Sequence, residues 1–323
     1  MLACYTKMSF QKLAAYAVLL GSVVILGEWY QYRVDSNGDP DKLAYREIID
    51  KHMFSSNTSL QGKIPLWIPI EHAANARYWP SFGSRMTNRV NKPYFSLCIE
   101  TIVKNVGPEY EVVIIDDASY GALIPGWDIE MGLVAEPMKS NIRTLALWKV
   151  LYYYGGVLCP PSTVCLKSIS YLESAATTEL FSVEQVATAY SDNLYQANPR
   201  FVGCRKENTG MLNMITKLES LLSSDSTDAV AFTGGIQAIM AQCKGMSVVN
   251  GKLVGSRNVS GSPVSLDGLF EGVGFSPELV CLVLPEQAID ARLKYGWFSR
   301  MSQDQVLNSS VPFVSIIRQA LQQ

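Results

Sequence analysis

Histidine and clustered positive charge are both scarce in this chain. Its 323 residues include two histidines, His52 and His72, and its net charge is −2 at pH 7. Two histidines are few for a metal site or for acid–base chemistry, and no zinc-type spacing of cysteine and histidine occurs. Nucleic acids are bound through clustered lysine and arginine, and the sequence has no basic stripe. These absences argue against nucleic acid as the main partner.

A disulfide framework is missing as well. The seven cysteines are spread along the chain, and their odd number leaves at least one without a partner in the same chain. Cys159 and Cys165 would pair if the loop between them folded back. The alternative is a set of buried free thiols, which pack as small apolar side chains.

Charge is absent from residues 13–27, which follow Lys12 and lead into aromatic residues at positions 29, 30 and 32. An uncharged run that ends in tryptophan and tyrosine is typical of a membrane span and its interface. The pattern predicts a signal anchor over residues 13–32 and a cytoplasmic tail over residues 1–12, with the C-terminal part lumenal or exoplasmic. A cleaved signal peptide and a buried core helix are the alternatives.

The rest of the chain divides into a polar stem, residues 33–62, and one globular domain, residues 63–323. Leu66–Ile70 and Glu111–Ile115 read as buried strands on either side of an amphipathic helix, Pro93–Val106. This order predicts an α/β fold with a mostly parallel sheet. Further strands are expected near residues 180–183, 200–204 and 280–284, and helices at 208–222, 314–321 and 228–244, the last interrupted by Thr233-Gly234-Gly235.

Three carboxylates are candidates for chemistry. Asp116 and Asp117 follow the Glu111–Ile115 strand, and ligands of open α/β sheets bind beyond the carboxyl ends of strands. Adjacent residues point opposite ways, so at most one of them faces such a crevice. The alternative is that one aspartate caps the next turn while the other is solvated. Glu184, at a predicted strand end, is a candidate general base.

Residues 140–168 carry the most specific pattern in the chain. Three polar residues alone interrupt the apolar run Ile142–Tyr154, which predicts a helix buried nearly all round. Gly155-Gly156 then ends the helix, because glycine adopts the left-handed conformation that a helix C-terminus needs. Thr163–Leu166 is predicted to run back into a sheet.

This layout resembles the core of the family 32 glycosyltransferases and related capsular-polysaccharide sugar transferases. In that family a Ser-Asp-x-x-Arg opening leads to Tyr-Gly-Gly and to an Asp-X-Asp strand, whose aspartates hold a divalent metal against the diphosphate of a nucleotide sugar. Here the opening is Ser140-Asn141-Ile142-Arg143, and the Asp-X-Asp window reads Pro160-Pro161-Ser162. A third departure is Pro69, which stands where the family opening Ile-Pro-x-x-Ile-His has histidine.

The resemblance implies a glycosyltransferase A-type, Rossmann-like fold. It also implies donor contacts from Asn141, Arg143 and Ser162, with chemistry from Asp116, Asp117 or Glu184. Proline offers no ligand and serine a poor one, so no residue is assigned to a metal, and manganese or magnesium is only weakly implied as a cofactor. Arg143 suits a diphosphate because its fork is bidentate and permanently charged, but it would equally pair with Asp116 or Asp117.

A series of short motifs extends the resemblance along the domain: Ile64–Ile68, Ser81–Arg85, Asn91–Tyr94, Ile114–Asp117, Leu123–Trp127, Tyr154–Val157 and Pro160–Ser162. Together they look like transferase-like proteins of large DNA viruses of algae and protists, in which a Pro-x-Ser stretch commonly replaces Asp-X-Asp. Three functions follow as expectations. The first is a membrane-anchored transferase that uses a nucleotide-sugar donor and a glycan acceptor. The second is an inactive structural virion or minor-capsid component that contacts capsid proteins, and the third is a glycan-binding module.

Overall fold

The computed structural model describes residues 26, 47–55, 62–71, 92–187, 194–224 and 229–323. The chain divides into two compact units, residues 1–48 and 49–323, and almost all described residues belong to the second. The predicted anchor, apart from Leu26, and most of the predicted stem lie outside the described residues. Within the described part of the chain, no helix combines the length and the apolar character needed to cross a bilayer.

Two sheets are present in the described residues of the second unit. The larger has six strands and the smaller two. The larger contains β1 (Ile64–Pro69), β2 (Tyr110–Ile115), β3 (Gly156–Leu158), β5 (Leu180–Val186), β6 (Tyr195–Cys204) and β7 (Met246–Val249), and the smaller contains β4 (Thr163–Cys165) and β8 (Cys281–Val283).

Helices flank the larger sheet. The longer ones are α1 (Pro93–Asn105), α3 (Met138–Tyr154), α5 (Thr209–Ser223), α6 (Ala229–Ala241) and α10 (Val314–Gln322). The shorter ones are α2 (Tyr120–Leu123), α4 (Ser170–Ala175), α7 (Leu266–Glu271), α8 (Glu286–Ala291) and α9 (Gln303–Leu307).

The strand order β2-β1-β3-β6-β5-β7 confirms a mixed α/β fold with a mostly parallel central sheet. β1 pairs in parallel with β2 and β3, and β5 pairs in parallel with β7. β6 is antiparallel to both of its neighbours, so five strands share one direction and β6 is reversed. The chain passes from β1 through α1 to β2 on one side and later to β3 on the other, which creates a topological switch point beyond the carboxyl end of β1.

The end of α3 fixes how closely β3 approaches β1. No residue from Asn141 to Tyr154 is exposed, which confirms that this helix is buried nearly all round. Gly155 ends the helix with φ +70°, and Gly156 follows with φ +97°. A Cβ atom on Gly156 would lie 2.1 Å from the carbonyl oxygen of Pro65, so only glycine lets the two strands pair here.

Two predictions about elements need correction. The helix α6 continues through Thr233-Gly234-Gly235 instead of being interrupted there. A Cβ atom on Gly235 would lie 2.7 Å from Cδ2 of Leu221, so this glycine allows α5 and α6 to pack closely. Glu184 lies inside β5, beside a register shift, and not at the end of the strand.

The segment before β1 also contacts the larger sheet. Met53 forms a β-bridge with Ile114, and the amide of Phe54 donates to the Ile114 carbonyl at 2.8 Å. This part of the predicted stem therefore packs on β2, within the compact unit 49–323.

Candidate functional site

Asp116, the first residue after β2, closes a turn. Its Oδ1 accepts hydrogen bonds from the amide of Ser119 at 3.0 Å and from the Ser119 hydroxyl at 2.7 Å. The Ser119 hydroxyl in turn accepts from the Asp116 amide at 3.2 Å. A short aspartate side chain that bonds to the backbone of its own turn stabilises that turn. This arrangement matches the interpretation in which one of the two aspartates caps the next turn.

Asp117 forms a two-point pair with Arg143 of α3. Nε and Nη2 of Arg143 donate to Oδ1 and Oδ2 of Asp117, each at 2.7 Å. The Arg143 side chain is 10% exposed and that of Asp117 28%. Burial disfavours the charged guanidinium, but the hydrogen bonds to Asp117 and the charge of Glu71 outweigh it and raise the pKa of Arg143. The guanidinium is therefore a fixed positive charge in a largely buried position.

Further charges surround this pair at its outer side. Nη1 of Arg143 lies 3.2 Å from Oε2 of Glu71 and 3.6 Å from Oε1 of Glu136. Lys139 places Nζ 3.6 Å from Oδ2 of Asp117. The carboxylates of Glu71 and Glu136 are about half exposed, at 49% and 57% of the side chain. The contacts of Arg143 with Glu71 and Glu136 are thus longer and more exposed to solvent than its contact with Asp117.

These residues line a small cleft at the carboxyl ends of β1 and β2, called here the carboxyl-edge cleft. It has a volume of about 110 Å³. Its polar lining includes Glu71, Asp117, Ser140, Arg143, Arg200 and Gln287. The cleft lies at the topological switch point, where open α/β sheets bind their ligands. Two permanently charged arginines in one cleft suit an anionic ligand.

A second arginine of the cleft, Arg200, belongs to a charged pair that was not predicted from the sequence. Nη1 of Arg200, on β6, donates to Oε1 of Glu286 at the start of α8. Glu286 is 8% exposed, and its Oε2 has no hydrogen-bond partner. The two residues are 86 positions apart, and no local motif surrounds either of them. Only the tertiary fold brings them together.

The structure does not bring Asn141 and Ser162 into this cleft. Asn141 is 5% exposed, and its Nδ2 has no hydrogen-bond partner. Ser162 is 1% exposed, and its carbonyl accepts from the amide of Leu284 at 3.1 Å. Arg143 follows Ser140 by three residues, one fewer than in the Ser-Asp-x-x-Arg pattern, and Thr144 stands at the fourth place. Arg143 and Thr144 lie three and four residues after Ser140. Residues at these two spacings share a helix face, so both line the cleft together with Ser140.

Glu184 belongs to a separate cluster. Its two carboxylate oxygens accept from Nε and Nη2 of Arg257, each at 2.7 Å. The Arg257 guanidinium lies 3.7 Å from the centre of the Tyr195 ring. Glu184 is not among the described residues that line the carboxyl-edge cleft. The structure therefore separates the three carboxylates that the sequence proposed together.

The residues that the structure describes do not fit a resident divalent metal. Pro160-Pro161-Ser162 contributes no carboxylate, and Ser162 is buried. Within the described ranges, no group of three or more histidine, cysteine, aspartate or glutamate side chains is arranged to hold a metal ion. Manganese and magnesium require several oxygen ligands, which the described residues at this edge of the sheet do not assemble.

Comparison with known proteins gives little further information. No family model matches the chain, and no curated protein matches it at a significant level. Among solved structures, the chain is similar to "PaToxG Glycosyltransferase", with 15% sequence identity and a TM-score of 0.33. That match covers 56% of this chain and 69% of the other. At this TM-score the similarity does not establish a shared fold, so the interpretation of the site depends on its own geometry.

Proposed function

We propose that the chain is a glycosyltransferase-like protein whose carboxyl-edge cleft binds the diphosphate of a nucleotide-sugar donor, through Arg143 and without a resident metal. The observation that carries the proposal is the position of Arg143. A largely buried and permanently charged guanidinium lines a cleft at the switch point of a mostly parallel sheet. The resemblance of residues 140–168 to the transferase core supports the class of ligand, and the glycosyltransferase A-type topology is part of the same proposal.

The chemistry available to the chain's own residues is positioning and charge stabilisation. Arg143 would stabilise the negative charge on the diphosphate of the donor, and Asp117 would hold the guanidinium in a fixed orientation. Asp117 thus acts through Arg143 as a positioning residue. No step is assigned to a metal, because the Pro160-Pro161-Ser162 window does not fit one.

Calorimetric titration of the full-length protein with UDP- and GDP-sugars, with and without manganese, tests the proposal. We expect binding that does not depend on manganese and that weakens at least about tenfold in Arg143→Lys, which keeps the charge but loses the fork. Arg257→Lys is the matched control, because it alters another two-point arginine–carboxylate pair, away from the cleft. Equal weakening in both variants, or no binding by a folded protein, would overturn the proposal.

A second candidate is a binding protein of the same fold that does not transfer sugar. All three proposed carboxylates are engaged within the chain: Asp116 with Ser119, Asp117 with Arg143, and Glu184 with Arg257. A general base must reach the proton that it removes, and engaged carboxylates do so only after rearrangement. Release of free UDP or GDP from a bound donor, measured with and without candidate glycan acceptors, separates the two candidates.

Membrane attachment through residues 13–32 stays a proposal from the sequence. Flotation of the expressed protein with membranes, compared with a variant that lacks residues 1–32, tests it. The full-length protein should float with the membranes and the truncated protein should not. If both float equally, the anchor is refuted.

A further inference from the structure

The donor groups of Arg143 are unequally occupied. A guanidinium has five N–H donors, and Asp117 takes one edge of the fork through Nε and Nη2. Nη1, on the outer side, faces Glu71 at 3.2 Å and Glu136 at 3.6 Å. Nη1 is therefore the part of Arg143 that a ligand would contact without breaking the pair with Asp117.

Glu71 is held less firmly than Asp117. Its side chain is 49% exposed and, among the described residues, contacts Arg143 through Nη1 at 3.2 Å, whereas Asp117 accepts two hydrogen bonds of 2.7 Å. Water screens the exposed Glu71 carboxylate more than the less accessible Asp117 carboxylate, so Glu71 is the partner that a ligand displaces more easily. Glu71 is the second residue after β1, so its backbone is at the edge of the sheet where the cleft opens.

Arg200 gives the cleft a second cation. Its partner Glu286 is 8% exposed, whereas the Arg200 side chain is 30% exposed, so the arginine is the more accessible member of the pair. The charge of Glu286 raises the pKa of Arg200, and the charge of Glu71 adds to this rise. Glu71 therefore influences both arginines of the cleft.

We infer that the Glu71 carboxylate occupies the place of a ligand's anionic oxygen beside Arg143, and acts as an internal competitor that an entering phosphate displaces. The inference deepens the proposed function and rests on it, since it names a diphosphate as the group that replaces Glu71. In the absence of ligand, Glu71 neutralises the outer face of Arg143. When a diphosphate enters, the exposed Glu71 side chain turns to solvent while Asp117 keeps the guanidinium in place.

The test is calorimetric titration of the full-length protein with inorganic pyrophosphate, comparing the natural chain with Glu71→Gln. Removal of the competing charge should tighten pyrophosphate binding at least about fivefold. Glu179→Gln is the matched control, because Glu179 also pairs with an arginine, Arg205, at 2.8 Å and is similarly exposed at 57%. That control should bind pyrophosphate as the natural chain does.

A further variant tests the second cation. Arg200→Gln combined with Glu286→Gln removes both charges of the pair together, so that the buried Glu286 carboxylate is not left unpaired. In the Glu71→Gln background this change should weaken pyrophosphate binding, while the thermal unfolding midpoint reports whether the protein is still folded. If the folded triple variant binds as tightly as Glu71→Gln, Arg200 is not part of the anion site.

The outcomes separate this inference from the proposed function. If the natural chain binds UDP-sugars through Arg143 but Glu71→Gln binds pyrophosphate no more tightly, the inference fails and the function stands. If Glu71→Gln gains pyrophosphate affinity but no variant binds a nucleotide sugar, the anion site stands and the donor function fails. If neither ligand binds any folded variant, both are overturned.

Discussion

Arg143 and Asp117, 26 residues apart in sequence, join the end of β2 to the first turns of α3 by two hydrogen bonds of 2.7 Å. The geometry is the parallel fork-to-carboxylate arrangement, which combines charge with fixed orientation. It also decides which donors of Arg143 point towards the carboxyl-edge cleft. The pair is therefore both a tie between two elements and the support of the proposed ligand contact.

The first prediction concerns the energy of this pair. A double-mutant cycle of Asp117→Asn and Arg143→Lys, measured by urea unfolding, should give a coupling of about 1–3 kcal/mol, because both partners are largely shielded from water. The exposed pair Arg205–Glu179, with side chains 78% and 57% accessible, should give no more than about 1 kcal/mol in the same cycle. Equal couplings at the two sites would contradict the assignment of Arg143 and Asp117 as a structural tie.

The second prediction concerns the glycine that lets β3 approach β1. Gly156→Ala introduces a Cβ atom 2.1 Å from the Pro65 carbonyl oxygen at a residue with φ +97°, so the strands must separate. We expect a loss of at least about 2 kcal/mol in the free energy of unfolding. Gly121→Ala in α2 is the control, since no atom lies within 4 Å of the point where its Cβ would stand, and it should change stability by less than about 1 kcal/mol. Similar losses in both variants would show that crowding at Pro65 is not the cause.

Local pattern was sufficient to predict β1, α1, β2 and α3. Hydrophobic periodicity predicts the strands β1 and β2, the helix between them and the buried helix α3. The glycines after α3 predict where that helix ends. The position of Asp116 and Asp117 at a strand end also follows, because a continuous apolar run stops at Ile115. The mostly parallel sheet could therefore be predicted before any contact was known.

The reversal of β6 and the second charged pair could not be predicted in the same way. The apolar pattern of a strand is the same whichever way the strand runs. The sequence near Phe201 therefore does not predict that β6 is antiparallel to β3. Arg200 and Glu286 meet only because β6 and α8 converge at the cleft. In the sequence, Glu184 and Asp117 both appeared as carboxylates near strand ends. Glu184 pairs with Arg257, which lies 73 residues away in sequence, and so belongs to a different cluster. Long-range pairing of side chains leaves no local signal.

The third prediction concerns the pH dependence of stability. His52 places Nδ1 3.2 Å from the Val112 carbonyl oxygen on β2, and burial lowers its pKa below the usual 6.5. The native state therefore disfavours the protonated form, so stability should fall as the pH drops below about 6.5 and continue to fall to the lowered pKa. Two-dimensional NMR titration of the imidazole signals should give a midpoint for His52 below 6.5. His52→Gln assigns the signal and should flatten the pH profile of the unfolding midpoint; a midpoint above 6.5 would refute the prediction.

The fourth prediction concerns the cysteines. All six in the described part of the chain are free thiols, five of them buried and Cys243 partly exposed, in agreement with the interpretation as buried thiols. Burial raises the pKa of the Cys159 and Cys204 thiols to about 12 each. At pH 8 roughly one such thiol in ten thousand is ionised, and the thiolate is the reactive form.

In a Cys4→Ser background, iodoacetamide should therefore modify Cys243 in the native protein and the other five cysteines only after unfolding. Peptide mass spectrometry after native and denaturing alkylation identifies each site, and Cys243→Ser should abolish the native reaction. Rapid native modification of Cys159 or Cys165 would mean that the chain beside the Pro160-Pro161-Ser162 window opens to solvent. That result would reopen the question of a ligand contact from Ser162, because the closed structure keeps this serine 1% exposed.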